Sequence, residues 1–352
     1  MKVLHLPTLV GGNAWGLAQG ERKLGLDSRV LTRKNVWLDY PCDMNLQWDK
    51  KNVLGMFISA VDTFLKVRRD YDVFHFNFGT SLLDMTQIGL PLLDLPFYPH
   101  NKRIIFSYNG CDARQKYETI ERVNFSACHN ENCYGGICTN KKQDRIKARK
   151  IKKAGKYANH LFALNPDLMW FLPQGATFLP YTIAEWDNIH PVPCRLEKKI
   201  KVIHSPTDRA AKGSDCILKA LENLQKRYDI EIILVENTPN KKAIKLYERA
   251  DIVIDQALVG WYGGLAVEAM KMGKPVAVFI RKDDLQFVPI SMAKDLCEAV
   301  IEIEPSTIEE SIELYLQNPT LLKQKSQAAL EYVHQWHDPV YVASMTKSVY
   351  ET

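Results

Sequence analysis

The sequence predicts an α/β fold built from two Rossmann-like halves, each with a parallel sheet. Short runs of β-branched and aromatic residues alternate with helically spaced segments along the whole chain, as in doubly wound sheets. The chain has 352 residues, about twice the length of a typical domain. Hydrophobic residues make up 46% and charged residues 25%, a composition that excludes a long disordered tail, a rod or a small disulfide scaffold.

Ten strands are predicted, five in each half. The first five are Lys2–Leu6, Ser28–Leu31, Val73–Asn77, Arg103–Tyr108 and His160–Leu164. The second five are Lys199–His204, Glu231–Val235, Ile252–Asp255, Val276–Ile280 and Ala299–Ile303. Helical spacing fills the segments between them, for example at Phe57, Val61, Phe64 and Leu65, and Ser214 is predicted to cap the helix that follows it.

Prolines mark the boundary between the two halves. Pro180, Pro191 and Pro193 interrupt the strand and helix patterns and predict a link near residue 190. The predicted domains are residues 1–190 and residues 191–338. In open parallel sheets ligands bind beyond the carboxyl ends of the strands, so the loops after the strands are the places to look for a site.

The loop after strand Lys199–His204 carries two cations three residues apart, Arg209 and Lys212, ahead of a helix. A guanidinium offers a planar fork for phosphate oxygens, and an ammonium adds a point charge. This pattern indicates a diphosphate clamp. The alternative is a solvated basic loop, which is the commoner environment of such a pair.

A glycine-rich turn follows strand Ile252–Asp255 and opens the next helix with Gly263, Gly264 and Leu265. Glycines at a helix start expose backbone N–H groups that bind anions. Glu268 then falls within the first two turns, where a carboxylate can accept two hydrogen bonds from a vicinal diol such as a ribose. The alternative for Glu268 is a helix-start acid that complements the helix dipole.

A third glycine pair, Gly11 and Gly12, follows the first strand. Its spacing is not Gly-x-Gly-x-x-Gly, so it is weak evidence for dinucleotide binding. Two glycines still let a backbone approach a phosphate or sugar closely. The alternative is an ordinary strand-to-helix turn.

The blocks His204–Asp215 and Gly260–Pro275 together resemble the donor domain of GT-B glycosyltransferases, specifically the retaining family 4 (group 1) type. The resemblance implies that Arg209 and Lys212 bind the donor diphosphate and stabilise its growing charge. It implies that Glu268, the second glutamate of the family's E-x7-E motif, holds the nucleotide ribose, and that the amides of residues 263–265 face the phosphates.

The first half resembles the family more loosely, through Gly11-Gly12 and through the block Asn109–Arg114. The resemblance implies that Gly11 and Gly12 close on the donor from the opposite domain. It implies that Asn109, Asp112 and Arg114 contact the acceptor or the sugar. It further implies two parallel sheets facing a central cleft, with residues 339–352 crossing back to the N-terminal domain.

Two departures from the family pattern concern the sugar site. Gly260 stands where the first glutamate of E-x7-E, which contacts the donor sugar, belongs, and Asn109 stands where the family often has His. Asn can hydrogen-bond a sugar but cannot act as a base. The resemblance implies that the leaving diphosphate takes the acceptor proton, so catalysis rests on positioning and charge stabilisation. No catalytic metal is expected, because two cations already serve the diphosphate.

Three cysteines, Cys128, Cys133 and Cys138, lie within eleven residues, with His129 adjacent and Cys111 upstream. They fit a structural Zn²⁺ site, with His129 or Cys111 as fourth ligand, a set of reduced thiols, or a disulfide. The spacing is looser than Cys-x2-Cys, and all three interpretations stand at this point.

Positive charge is concentrated in one run, residues 141–156. This run holds nine Lys and Arg against one acid, a local net of +8 in a chain of net +5. It predicts a helix with either a solvated basic face or a peripheral contact to an anionic membrane surface. Nucleic acid is not expected, because no aromatic residues interleave the cations. The start Met1–Pro7 does not resemble a signal peptide and no run is long and apolar enough to span a bilayer, so the expected location is cytoplasmic.

The predicted function is transfer of a hexose-type sugar from a nucleotide diphosphate donor to a hydroxyl of a glycan or lipid-linked glycan, with retention. Nucleotide-sugar 2-epimerases share the fold and form one alternative. A non-catalytic nucleotide-sugar binder forms the other, because the glutamate is missing at Gly260.

Overall fold

The computed structural model describes residues 1–34, 37–192 and 199–352. Pro193, one of the three prolines of the predicted link, lies outside these ranges. The chain divides into two compact units. The first contains Met1–Gln115, Lys142–Ala184 and Asp338–Thr352, and the second contains Lys116–Lys141 and Glu185–His337.

Residues 116–141 lie inside the predicted first domain but group with the second unit. Arg122 Nη1 donates to Asp284 Oδ1 over 2.8 Å, and the Ala127 amide donates to the Leu258 carbonyl over 3.2 Å. These contacts join residues 116–141 to the loops of the second unit that contain Leu258 and Asp284.

Strands and helices alternate through both units. As far as residue 184 they are β1 (Lys2–Leu6), α1 (Asn13–Lys23), β2 (Asp27–Thr32), β3 (Met44–Asn45), α2 (Val53–Asp70), β4 (Val73–Asn77), β5 (Arg103–Tyr108), α3 (Lys116–Arg122), α4 (Lys141–Tyr157), β6 (His160–Ala163) and β7 (Thr177–Phe178). From residue 199 they are β8 (Ile200–His204), α5 (Arg209–Lys212), α6 (Ser214–Gln225), β9 (Ile230–Leu234), α7 (Asn240–Tyr247), β10 (Ile252–Gln256), α8 (Gly264–Lys271), β11 (Val276–Val278), α9 (Ile290–Ala299), β12 (Val300–Glu302), α10 (Ile308–Gln317), α11 (Pro319–Trp336) and α12 (Pro339–Tyr350).

Both sheets are parallel. The first unit has seven strands in the order β3-β2-β1-β4-β5-β6-β7, and the second has five in the order β12-β11-β10-β8-β9. In each sheet the strand order reverses once, between β1 and β4 in the first unit and between β10 and β8 in the second. Loops that leave the carboxyl ends of strands flanking such a reversal form a crevice, which is where ligands bind in doubly wound sheets.

The central strands of each sheet, such as β4, β5 and β10, are buried on both sides, as parallel strands covered by helices must be. One face of the first sheet packs against three pieces of the chain: helix α2, helix α4 and the loop that follows β4. Their buried residues include Phe64, Ile151 and Leu92. The C-terminal helix α12 belongs to the same unit and packs on α1, where Tyr350 donates a hydrogen bond to the buried Glu21 over 2.8 Å. None of the helices in the described residues is long and apolar enough to cross a membrane.

Two sequence expectations about local structure are wrong. The first sheet has two further strands, β3 and β7, each of only two residues at a sheet edge. Ser214 does not cap α6: Gly213 does, with a φ of 73°, and the Ser214 hydroxyl bonds the buried His204 instead. A left-handed φ favours glycine, which explains the exchange of roles.

Candidate functional site

The crevice of the second unit is lined by the loops after β8 and β10, which flank the reversal of strand order. Lys212 ends the short helix α5, and its Nζ donates to Asp255 Oδ1 over 2.7 Å. The Gly263 amide donates to the other carboxylate oxygen of Asp255, also over 2.7 Å. Asp255 is fully buried. It therefore holds the lysine ammonium at the amino-terminal end of α8, where the helix dipole also attracts anions.

Arg209 lies one turn before Lys212 and pairs with Glu236, which follows β9. Its Nε and Nη2 donate to the two carboxylate oxygens over 2.8 and 2.7 Å, a bidentate fork. The two side chains are 50% and 31% exposed. The bond to Glu236 raises the pKa of Arg209, so the guanidinium stays charged. An exposed pair of this kind contributes little to stability, so a phosphate can replace the carboxylate at small cost.

Helix α5 has this position because Asp208 caps it. The Asp208 side chain accepts from the Ala211 amide over 2.7 Å, and Gly213 closes the helix with a left-handed φ. Below the loop, the imidazole of His204 bonds the Ile254 carbonyl and the Ser214 hydroxyl, each over 2.8 Å. Burial lowers the pKa of His204, so the ring is neutral and its role is to tie β8 to β10 and α6.

Glu268 lies on the second turn of α8 and is buried. Burial raises the pKa of its carboxyl to about 7, while a hydrogen bond from Asn240 opposes that rise. Asn240 Nδ2 donates to Glu268 Oε1 over 2.8 Å. Asn240 Oδ1 is buried without a hydrogen-bond partner in the described residues. Buried polar atoms are rarely left unsatisfied, so an acceptor of this kind beside a carboxylate fits a ligand that donates hydrogen bonds, such as a diol.

Gly260 occupies a position where a glutamate would be strained by both the backbone and its neighbour. Its φ is 90°, and an added Cβ would lie 3.1 Å from both Cβ and Nε of Arg281. Arg281 itself is buried, and its guanidinium donates to the Phe125 carbonyl and packs against Phe125 and Phe279. The missing first glutamate therefore has a structural reason, because Arg281 fills the adjacent space.

The glycine pair of the first unit divides into two roles. Gly11 and Gly12 follow β1 with φ values of 65° and 68°. A Cβ at Gly12 would lie 2.8 Å from Tyr40, whereas one at Gly11 would meet nothing within 4 Å. There is therefore no room for a side chain at Gly12, whereas the space beside the backbone of Gly11 is empty.

Asn109, Asp112 and Arg114 are brought together after β5. The side chains of Asp112 and Arg114 and the backbone of Asn109 are engaged within the unit, whereas Asn109 Oδ1 is buried without a hydrogen-bond partner in the described residues. Asp112 accepts from the amides of Asn109 and Gly110 at 2.7 to 3.1 Å, and burial raises its pKa to about 6. Arg114 donates to both oxygens of Asp167, over 2.5 and 2.9 Å. These contacts show a turn closed on itself, and a direct contact of these residues with sugar or acceptor stays a prediction.

Two of the three clustered cysteines lie on short turns of the second unit, and the third follows them. Cys128 is within Ala127–His129, Cys133 opens Cys133–Gly136, and Cys138 follows; all are half-buried. Among the described residues, only His5, Glu21 and His75 bring three metal-ligating atoms within 4.8 Å of one another. Those three are fully buried and hydrogen-bonded inside the first unit. Structural zinc at the three cysteines stays a prediction.

Four partners of the predicted residues were missed: Glu236, Asn240, Asp255 and Asp167. Asp255 is the one with a readable signal, because it lies at the end of a predicted strand next to the glycine turn. The others lie on loops or helix starts whose proximity depends on the strand order.

Comparison with known proteins identifies the fold. No family model matches the chain, and its sequence matches no curated protein. Among solved structures, a sucrose-phosphate synthase from Thermosynechococcus elongatus is 15% identical over 99% of this chain and 98% of that one, with a TM-score of 0.63. An alpha-glucosyltransferase in complex with UDP and a 13-mer DNA is 10% identical over 100% and 99%, with a TM-score of 0.61. A glycosyltransferase from Rickettsia africae is 12% identical over 99% and 97%, with a TM-score of 0.59. The chain has the α/β fold of the GT-B type, with two Rossmann-like domains.

Proposed function

We propose that this protein is a retaining glycosyltransferase that moves a hexose-type sugar from a nucleotide diphosphate donor to a hydroxyl of a glycan or lipid-linked glycan. The observation that carries the proposal is the assembly of Arg209, Lys212, the turn at Gly263 and Glu268 within one unit, on loops flanking the reversal of strand order. The likeness to structures described as glycosyltransferases supports the same reaction class.

The diphosphate binds by exchanging partners with Glu236. The Arg209 fork already holds a carboxylate in bidentate geometry, and phosphate oxygens match the same fork. Lys212, held by Asp255 at the start of α8, supplies the second charge. As the bond to the sugar breaks, negative charge grows on the leaving diphosphate, and fixed cations stabilise it without reorganisation.

The ribose binds at Glu268. A carboxylate there accepts hydrogen bonds from two vicinal hydroxyls, and the unsatisfied Asn240 Oδ1 accepts another. No side chain is assigned as a general base, in line with Asn109 at the position where relatives often have His.

The test is incubation of the purified protein with a panel of labelled nucleotide diphosphate sugars and hydroxyl acceptors. Transfer or slow donor hydrolysis, with retention at the anomeric carbon seen by NMR, is expected. Formation of the C2 epimer would assign the chain to the epimerase class instead. Tight donor binding without turnover of any kind would make it a nucleotide-sugar binder, the outcome suggested by Gly260.

The matched control is Arg227→Ala. Arg227 lies in the same unit and forms exposed ion pairs with Glu309 and Glu313, far along the chain from the glycine turn. Arg209→Ala is expected to abolish donor turnover and Arg227→Ala to preserve it. Equal loss in both variants would contradict the assigned site.

A further inference from the structure

The basic run 141–156 forms most of helix α4, and eight of its nine cations lie on two sides of the helix; the ninth, Lys141, lies over the ring of Tyr117. Five exposed cations form one line along the helix: Lys142, Arg145, Arg149, Lys152 and Lys156. Their spacing of three, four, three and four residues keeps them within one narrow stripe. Over fourteen residues the stripe is roughly 20 Å long, from a rise of 1.5 Å per residue. We call this line the basic ridge.

The other side of α4 is anchored to its own unit. Ile151 and Ala154 are buried in the core under the sheet. The three half-buried lysines are used locally: Lys147 donates to the Arg114 carbonyl, Lys150 pairs with Asp84, and Lys153 donates to the Pro91 carbonyl, at 2.7 to 2.8 Å. The helix therefore cannot turn its ridge inward without losing these contacts.

Exposed apolar side chains lie next to the ridge. The loop to which Lys150 and Lys153 bind also carries Ile88, Leu90 and Phe97, which are 65%, 47% and 57% exposed. Helix α2 continues the series with a second exposed apolar group, namely Leu54, Phe57, Ile58 and Leu65. Its other side holds the buried Ala60, Phe64 and Val67.

These pieces share one layer of the first unit. The same core cluster on one face of the sheet contains residues of helix α2, of helix α4 and of the loop after β4. The loop bridges the two helices, since Tyr98 packs edge-on against Phe64 of α2 and Pro91 receives the bond from Lys153. The ridge and the exposed apolar residues therefore belong to neighbouring parts of one surface.

We propose that this surface, made of the basic ridge and the exposed apolar residues 88, 90 and 97 with those of α2, docks on an anionic lipid bilayer. Cations near such a bilayer each add to the attraction, and apolar side chains beside them enter the headgroup region. The proposed attachment is peripheral, and it uses residues of the first unit, whereas the proposed donor site is made of residues of the second.

A bilayer fits this surface better than a nucleic acid does. The phosphates of a nucleic acid would bind the cations of the ridge, but they would make no favourable contact with the exposed leucine, isoleucine and phenylalanine side chains. Aromatic stacking platforms, which single strands need, are not interleaved with the cations of α4. Charge together with adjacent apolar area is the signature of an interfacial surface.

The experiment is vesicle flotation of the full chain. One vesicle preparation is phosphatidylcholine alone, and the other contains about one third phosphatidylglycerol. Three variants are compared with the parent: Arg149→Glu/Lys152→Glu on the ridge, Ile88→Ser/Leu90→Ser on the loop, and Lys219→Glu/Lys323→Glu as a control. The control makes the same change of charge at exposed positions on α6 and α11 of the second unit.

The parent is expected to float with the anionic vesicles and not with phosphatidylcholine. The ridge variant should lose at least about thirtyfold in partitioning, the loop variant should lose binding at high salt, and the control should match the parent. Thermal shift by nucleotide sugars is expected to be unchanged in all three, which separates this surface from the donor site. Absence of parental binding, equal loss in the control, or ridge-dependent binding of duplex DNA in place of vesicles would overturn the proposal.

Discussion

Each unit places an arginine beside a carboxylate after a parallel strand, and the two pairs differ in exposure. Arg114 and Asp167 in the first unit are 9% and 5% exposed, whereas Arg209 and Glu236 in the second are 50% and 31% exposed. Both are bidentate. Because their geometry is alike, the two pairs differ mainly in their exposure to solvent, and this exposure sets the free energy needed to separate each pair.

A buried pair is costly to open, because either charge left alone remains in a poorly polarisable environment. An exposed pair is nearly neutral for stability, because water competes for both partners. Arg114 therefore serves to hold the turn that contains Asn109 and Asp112. Arg209 is held in a phosphate-compatible geometry by a partner that a ligand can displace.

The largest effect is expected from breaking the buried pair. Asp167→Ala leaves Arg114 without its bidentate partner, and the free energy of unfolding should fall by about 3–5 kcal/mol. Urea denaturation followed by tryptophan fluorescence measures it. The double variant Arg114→Met/Asp167→Leu should regain most of the loss. A loss below about 1 kcal/mol in Asp167→Ala would contradict the assignment of a structural role.

Glu268 gives the next effect, through pH. Burial raises its pKa to about 7 from 4.5, so between these values the folded protein holds a proton that the unfolded chain releases. Stability from this group is fully present below pH 4.5 and is lost as the pH rises through 7, by about 3 kcal/mol in total.

The control for Glu268 is Glu268→Gln, which keeps the shape of the protonated form. Denaturation curves of parent and variant should coincide at low pH, and the variant should become the more stable above pH 7. Donor affinity of the parent should rise with pH up to about 7, because the diol binds the ionised carboxyl. Parallel stability curves across the whole pH range would remove the basis for this prediction.

Arg209→Ala should weaken the binding of a nucleoside diphosphate by about ten- to a hundredfold, the range expected for a charged hydrogen bond. Its effect on the free energy of unfolding should stay below about 1 kcal/mol, since its partner is exposed. Calorimetric titration and urea denaturation measure the two quantities. A large loss of stability with unchanged affinity would reverse the comparison between the two arginines.

The smallest effect is expected from Glu236→Gln. This change removes the carboxylate that the diphosphate must displace, so donor affinity should rise by a few-fold at most. The gain should shrink at high salt, where exposed charges are screened. A loss of affinity would show that Glu236 contacts the donor and does not compete with it.

The sequence was most informative where burial is uniform. The bounds of β1, β4 and β5 were predicted as observed, because strands covered on both faces are continuous apolar runs. The two-residue edge strands β3 and β7 carry too few residues to produce a pattern. The exchange between Gly213 and Ser214 depends on a φ that the sequence does not display.

The part of the candidate site that the sequence predicts is the part that lies in local motifs. Arg209, Lys212 and Glu268 lie in local motifs whose residue types indicate anion and diol binding. Their partners come from distant positions: Asp255 is 43 residues from Lys212, and Asn240 is 28 residues from Glu268. The order of the strands in the sheet brings these partners together, and that order cannot be predicted from a single sequence. Arg114 illustrates the converse, because its local motif suggests a ligand contact while Asp167, 53 residues on, engages it.

In the proposed function, Glu268 and the two cations of the α5 loop form one site for a nucleoside diphosphate. The most direct test compares a ribonucleoside diphosphate with its 2′-deoxy form by calorimetry, in the parent and in Glu268→Ala. The parent should bind the ribose form about tenfold more tightly, and Glu268→Ala should bind both forms equally. The same preference for ribose in parent and variant would contradict the claim.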